Sequence, residues 1–520
     1  MPAVSGAPLF AAQRSISVTQ RAAEALLVSG GRGGEAKAAR RHFVRAHVNR
    51  DQLPSEGVEV RLAALERAAA DPQARAGLLG AVAGAGGEQR GDTEPPPRSG
   101  RGQEDREGNE AQEENVAPPV GFHYHGETML ARINRTAAAA GLLIAMIGVA
   151  PAALAQGSAA PTNLQPLPPQ EEGVPWPTLT WPGGPLPDGV ADRLDRALAL
   201  VGERDPKLGE TRAVVVIHHG RLVAERYAPG FGPDTPLLSW SMAKSVTHAL
   251  LGIAVRKGLV DIDKPMGNPR WSPGDPRAAI PWRQWINMTD GQEYHEIGVV
   301  DPTLNDAASM LYGRGRRDVA GFAASLPLIH APGTHWNYNS AGINLIADAL
   351  TRVFAPNASP AERRARVARE LKDELFAPIG MTSAQPEFDP TGMFIGSALV
   401  YATARDWARF GFLYLRNGVW DERRVLPEGW VDFARTKTPA ENSDVYGAGF
   451  WVTPTAGRGK PQVAFAPGGP RDIFLAQGHE GQVVVIVPSK DLVLVRLGLL
   501  DDFVGWGALG EWAVGIINLF

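Results

Sequence analysis

The 520-residue chain has no cysteine. That excludes disulfides, a thiolate nucleophile, thiolate metal sites and a lipid-modified N-terminal cysteine. An exported form would fold without needing oxidation. Charge of one sign is not in excess either. The 52 basic and 56 acidic residues give a formal net charge of −4, so no basic field points to nucleic acid or to an anionic membrane. Lysine is scarce, with nine in the whole sequence, which gives weight to where each one sits. No internal repeat is visible. What remains is an ordinary globular mixture, 44% hydrophobic and 21% charged, with apolar material for a large core and length for two or three domains.

The N-terminal third does not read as a domain. Residues 1–128 offer one candidate short helix, around Gly57–Ala70, and then Gly86–Pro119, almost free of large apolar side chains. Such a stretch cannot bury enough surface to offset its ordering entropy. The expectation is a disordered extension, or sequence upstream of the true start through mistranslation, in preference to a regulatory tail. From Met129 the pattern changes. Arg132 and Arg135 precede an uncharged apolar run, Ala137–Ala150, and Ala153-Leu154-Ala155 before Gln156 fits a small-x-small cleavage site. This reads as a secretory signal peptide over 129–155, with a retained transmembrane anchor as the alternative. A signal belongs at an N-terminus, so Met129 is the expected start and Gln156 the approximate beginning of a periplasmic or secreted mature protein. If the signal is cleaved, no stable membrane partner is expected. Residues 156–189 form a Pro-rich arm; Trp176 and Trp181 suggest that it lies on the body of the protein.

Residues 190–520 mix helical and strand periodicities. Val190–Glu203 has helical spacing through Leu194, Ala197, Leu198 and Val201. Ala213–Ile217 and Leu222–Tyr227 are short β-like runs around His219-Gly220, a hairpin signal. A helix is predicted from about Ser241 to Lys257, ending at Gly258. Asn287 to Trp430 is mostly helical with loops. Strand patterns return at Gly447–Thr453, Ile473–Gln477, Gln482–Val487 and Leu492–Leu497, before an amphipathic helix at Gly507–Leu519. Strands at both ends with helices between predict an α+β fold, an α/β sandwich. Its antiparallel sheet is built from N- and C-terminal segments, with a mainly helical lobe inserted. A cleft between the two lobes is the expected place for a site.

Candidate chemistry begins at Ser241-Met242-Ala243-Lys244. At a helix start, positions i and i+3 share a face, so the Lys244 amine would sit beside the Ser241 hydroxyl. A desolvated neutral lysine can serve as the base a serine nucleophile needs. Of the nine lysines, Lys244 alone has serine three positions before it. Pro332–Ile346 follows, in which Tyr338-Asn339-Ser340 leads into an apolar helical pattern. A phenol near a lysine can relay a proton to a leaving group, and Ser340 can bond the lysine or the substrate. The alternative is a capping serine and a core tyrosine. The third element, Gly478-His479-Glu480-Gly481-Gln482, lies between two β runs, where glycines allow close backbone approach to a ligand. An N–H there would pair with the Ser241 N–H as an oxyanion hole, and His479 would donate to substrate; the alternative is a plain hairpin turn. His218-His219, and His123 with His125, are read as structural and not as metal ligands, since no third ligand is evident.

Together and in this order, the three elements resemble the penicillin-recognising serine hydrolases: class C β-lactamases, D-Ala-D-Ala carboxypeptidases and related esterases and amidases. The resemblance covers about residues 190–510. It takes in Ile286-Asn287-Met288-Thr289-Asp290-Gly291 and Tyr401–Gly411. Two departures matter. Ser340 stands where the second motif ordinarily has Asn, and His479-Glu480-Gly481 lacks the Lys and Thr that hold a substrate carboxylate in penicillin-directed members. The variant motifs are similar to the branch that holds 6-aminohexanoate-dimer hydrolase and its carboxylesterase relatives.

That resemblance implies a serine hydrolase acting on small ester or amide substrates through an acyl-enzyme. Ser241 is then the nucleophile, Lys244 its base and Tyr338 the proton relay and general acid. The Ser241 and Gln482 N–H groups form the oxyanion hole. Ser340, His479 and Gly481 line the substrate site, and Tyr294 is the nearest candidate for the loop tyrosine that assists amide cleavage. The mechanism requires no cofactor and no metal. The tryptophans of this region (Trp271, Trp282, Trp285, Trp336, Trp407, Trp420 and Trp451) are read as core, with one or two left for an acyl pocket. A D-Ala-D-Ala carboxypeptidase or weak class C-like β-lactamase, and a non-catalytic binding protein on the same fold, remain the alternatives. Oligomeric state and natural substrate are not encoded in these motifs.

Overall fold

The computed structural model describes residues 164–299, 303–453, 468–500 and 505–520. The expectations for 1–128, including His123 and His125, and for the signal segment 129–155 lie outside the described residues.

A seven-stranded antiparallel sheet carries the fold. Its strands are β1 (Arg204–Asp205), β2 (Gly209–His218), β3 (Arg221–Tyr227), β4 (Trp451–Val452), β5 (Phe474–Gly478), β6 (Gln482–Val487) and β7 (Leu492–Leu499). The order is β1-β2-β7-β6-β5-β4, with β3 also paired to β2. The last long strand of the chain is thus welded to the first: Leu494 faces Val216 and Val495 faces Val215. The sequence explains the central strands. Val214–Ile217, Val483–Val487 and Leu492–Val495 are continuous buried apolar runs, because helices cover both faces. The β2–β3 turn has His219 and Gly220 at φ 50° and 70°, two successive left-handed residues that match the twist of a tight hairpin.

Among the described residues six helices have eight residues or more: α1 (Ala191–Leu198), α2 (Ala243–Arg256), α3 (Ser340–Phe354), α4 (Pro360–Leu371), α5 (Ala404–Leu415) and α6 (Gly505–Ile517). Helix α5 lies against the sheet, where a Cβ on Gly411 would come within 2.6 Å of Val484. Helices α1 and α6 pack on each other, and the Trp512 indole donates to the Ala197 carbonyl at 2.9 Å. Helix starts follow side-chain capping: Asn339 accepts from Gly342, Thr403 from Asp406, and Ser359 with Glu362 forms a capping box. Among the described residues no helix is long and apolar enough to cross a membrane.

The architecture is the expected α+β one, with α3, α4 and several shorter helices falling between β3 and β4. Gly447–Thr453, read as one strand, forms only Trp451–Val452. There the backbone at Gly447 runs so close to the Ala434 carbonyl that a Cβ would sit 2.1 Å from it, and Gly449 takes φ 72°. Residues 164–189 run over the body. Trp176 packs 6.0 Å from Phe412 and 5.3 Å from Trp420, and the Trp181 indole donates to the Arg405 carbonyl at 3.2 Å.

Candidate active site

The nucleophile candidate is presented by a forced turn. Ser239 is buried and clamped to Val400 by two hydrogen bonds: its N–H donates to the Val400 carbonyl at 2.9 Å, and the Val400 N–H donates to its hydroxyl at 3.2 Å. Trp240 then takes φ 47°, a left-handed conformation that a bulky residue adopts only when its surroundings over-determine it. Its indole donates to Glu480 Oε2 at 3.3 Å. Ser241 follows in a single 3₁₀ turn, and α2 starts two residues later.

Lys244, in the first turn of α2, has Nζ 2.9 Å from Ser241 Oγ and 2.9 Å from the Ser397 carbonyl oxygen. It is buried, 1% exposed. Burial lowers its ammonium from the ordinary 10.5 to about 8, with Glu296 acting in the opposite direction. Roughly a tenth of such lysines are neutral at pH 7, against about one in three thousand at the ordinary value.

Tyr338 closes the triangle. It is buried, its phenol is beside Ser241, and its ring lies 4.8 Å from Lys244 Nζ. Trp451 stacks on it at 5.3 Å and 22°. Burial, Glu296 and Tyr446 hold its phenol well above 10, so it carries its proton at neutral pH. Its loop is pinned by Asn337, whose N–H donates to the Met288 carbonyl at 3.0 Å and whose amide donates to the Tyr294 carbonyl at 2.8 Å. The next residue, Asn339, is the cap of α3, so the capping role considered for Ser340 belongs to its neighbour. Ser340 instead donates to Glu296 Oε2 at 2.6 Å. Tyr294 is buried with its hydroxyl beside Glu296 and Ser340, in no well-aligned hydrogen bond.

At the third motif, His479-Glu480-Gly481 forms the tight link between β5 and β6, with Glu480 and Gly481 both in the left-handed region. A Cβ on Gly478 would lie 2.1 Å from the Ser239 carbonyl oxygen and 3.1 Å from the Ser241 nitrogen. The turn therefore abuts the nucleophile through backbone. His479 is exposed, its ring 5.3 Å from Trp240 at the outer edge. The Gln482 side chain points away from chemistry. Its amide donates to the Gly498 carbonyl at 2.7 Å, and the Gly498 N–H donates back at 3.0 Å.

Four participants were not read from the sequence. Glu296, Tyr446, Trp451 as the ring under Tyr338, and the Ser397 carbonyl reach the site from loops and from an edge strand. Ser397 is itself fixed by Asn344 of α3, bonded at 2.9 Å and 3.2 Å. Of the other tryptophans, Trp271, Trp282, Trp285, Trp407 and Trp420 are buried, and Trp336 is half-buried beside Tyr446 and Trp451. His219 lies 3.3 Å from Asp491 and His218 packs on Phe520.

Known proteins resemble this chain in sequence and in fold. The chain is 26% identical over 332 residues to 6-aminohexanoate-dimer hydrolase of Paenarthrobacter ureafaciens, covering 60% of this chain and 78% of the relative. It is 26% identical over 318 residues to an uncharacterised protein of Mycobacterium tuberculosis, covering 51% and 77%. Among solved structures, a Bacillus anthracis protein provisionally described as 6-aminohexanoate-dimer hydrolase superposes with a TM-score of 0.50 at 21% identity, over 64% of this chain and 87% of that one. A family profile described as Beta-lactamase matches residues 210–498. That span runs from β2 to β7 and includes Ser241, Lys244 and Tyr338. It is more than half of the sequence, and the chain belongs to the β-lactamase family of serine hydrolases.

Proposed function

We propose that this chain is an exported serine hydrolase that cleaves small ester or amide substrates, 6-aminohexanoate-oligomer-like in kind, through an acyl-enzyme on Ser241. The observation that carries the reading is the buried Lys244 amine 2.9 Å from Ser241 Oγ, with the protonated Tyr338 phenol beside the same serine. Export rests on the segment 129–155 in the sequence.

The steps follow from the proton inventory. Neutral Lys244 accepts the Ser241 proton as Oγ attacks the acyl carbon. The oxyanion is held by the Ser241 N–H and by an N–H of the Gly478–Gln482 turn, each contributing on the order of 3 kcal/mol. Contact at Gly478 favours its neighbour His479 over Gln482 as the second donor. Tyr338 passes its proton to the leaving alcohol or amine and is reprotonated from Lys244. Water, deprotonated through the same pair, then releases the acyl group. The reading as a D-Ala-D-Ala carboxypeptidase or β-lactamase is weaker. Those substrates carry a carboxylate, and the third motif offers Glu480 where a lysine-threonine pair would bind one.

The test is active-site labelling. A fluorophosphonate is expected to add one phosphonyl group to the Ser241 peptide of the native protein and none to Ser241→Ala. Labelling that persists in the variant would mean another nucleophile. A long-lived penicilloyl adduct with no turnover of p-nitrophenyl esters would favour the cell-wall reading instead. Native protein that takes neither reagent would be a binding protein on this fold.

A further inference from the structure

Glu296 lies within the site and has no counterpart in the motif chemistry. It sits in the loop after Gly291, with its backbone carbonyl accepting from the Asn305 amide at 3.2 Å. Its carboxylate accepts from Ser340 at 2.6 Å. Its charge acts on Lys244, Tyr294, Tyr338 and Tyr446 alike, which places it among the reacting groups. Among the described residues, no lysine, arginine or histidine forms an ion pair with it. Among the described residues, the one hydrogen bond that its carboxylate accepts comes from Ser340, which is neutral.

The electrostatic consequence depends on the serine-hydrolase reading above. In the form that reacts, Lys244 is neutral and Tyr338 is a neutral phenol. Glu296 is then an uncompensated charge in the site, half-buried where screening by water is reduced. A ligand cation entering the cleft gains a partner, whereas a ligand carboxylate meets repulsion. Such a cation would also cancel the field by which Glu296 favours the protonated, unreactive state of Lys244.

We infer that Glu296 is a specificity-determining residue that selects substrates carrying an ammonium group near the scissile carbonyl. Anionic substrates are disfavoured by the same carboxylate.

Two isosteric pairs test this: 6-aminohexanoyl against heptanoyl p-nitroanilide for the acyl side, and butyrate esters of 2-aminoethanol against 1-propanol for the leaving side. The readout is the ratio of kcat/KM within each pair. Both members are cleaved by the same active molecules, so the ratio does not depend on how much of a variant is folded. The native protein is expected to favour the cationic member of at least one pair about tenfold or more, and Glu296→Gln to bring that ratio near one. Native ratios near one in both pairs, or a preference that survives Glu296→Gln, would overturn the inference. Fluorophosphonate labelling at Ser241 separates the two failures. Labelling with unmoved ratios removes only the role of Glu296, whereas no labelling and no turnover remove the hydrolase reading and this inference together.

Discussion

Lys244 shows how one residue sets the working pH. Only the neutral amine accepts the Ser241 proton, and burial brings its ammonium down to about 8. The reactive form therefore appears as pH rises through about 8. Fluorophosphonate labelling and kcat/KM are expected to climb with pH and reach half their plateau near that value. Lys244→Arg keeps a cation of similar length that does not deprotonate, and is expected to slow both by at least about 100-fold. A labelling rate that is flat from pH 6 to 9, or equal in the variant, would remove Lys244 as the base. The Ser241–Lys244 pair was legible in the sequence because a helix start fixes i to i+3 geometry locally. Glu296 was not. Its place depends on the Asn305 amide nine residues on and the Ser340 hydroxyl 44 residues on, partners that leave no periodic spacing to read.

At the level of elements, the site depends on two turns pressed together, Ser239–Met242 and Gly478–Gln482. Gly478 has φ −130°, an extended conformation open to any residue, so its glycine is required by space and not by backbone. Alanine there would place Cβ 2.1 Å from the Ser239 carbonyl oxygen, and backbone on both sides must move apart. Gly478→Ala is expected to slow labelling of Ser241 at least tenfold and to destabilise the fold by about 1–3 kcal/mol. Gly232→Ala, with nothing within 4 Å of its Cβ position, is the control and should label at the native rate. Equal rates in both variants would mean that the turn does not shape the oxyanion site. The long elements could be read from periodicity: β2, β6, β7, α2 and α6 lie within a few residues of expectation, because continuous apolar runs and caps are local signals. The two-residue β4 and the pairing of Leu237–Leu238 with Tyr401–Ala402 could not. Such short bridges are created by the packing around them, and the glycines at 447 and 449 were counted as strand when they mark close approach.

Across the whole molecule, two fully buried titratable groups make stability depend on pH in opposite directions. His248 on α2 is neutral, held down to about 3 by burial. An unfolded chain takes up its proton below about 6.5, so this residue removes stability as pH falls from about 6.5 towards 3. Asp290 is raised by burial from 3.8 to about 6, against the bonds it accepts from the Gln292 N–H and the Asn339 amide, each at 3.0 Å. Its folded form holds a proton that the unfolded chain has released. Its contribution is fully present below 3.8 and is lost as pH rises through about 6, a cost on the order of 3 kcal/mol at pH 8. In the native protein the two trends offset each other between about pH 4 and 6. Asp290→Asn removes one of them, since a neutral amide has no proton to lose. The variant is therefore expected to unfold at higher urea concentration than the native protein at pH 8, to lose that advantage by pH 4, and to fall off more steeply on acidification because His248 then acts unopposed. A gain of the same size at both pH values would trace the effect to packing of the new amide and not to the charge buried under the cap of α3.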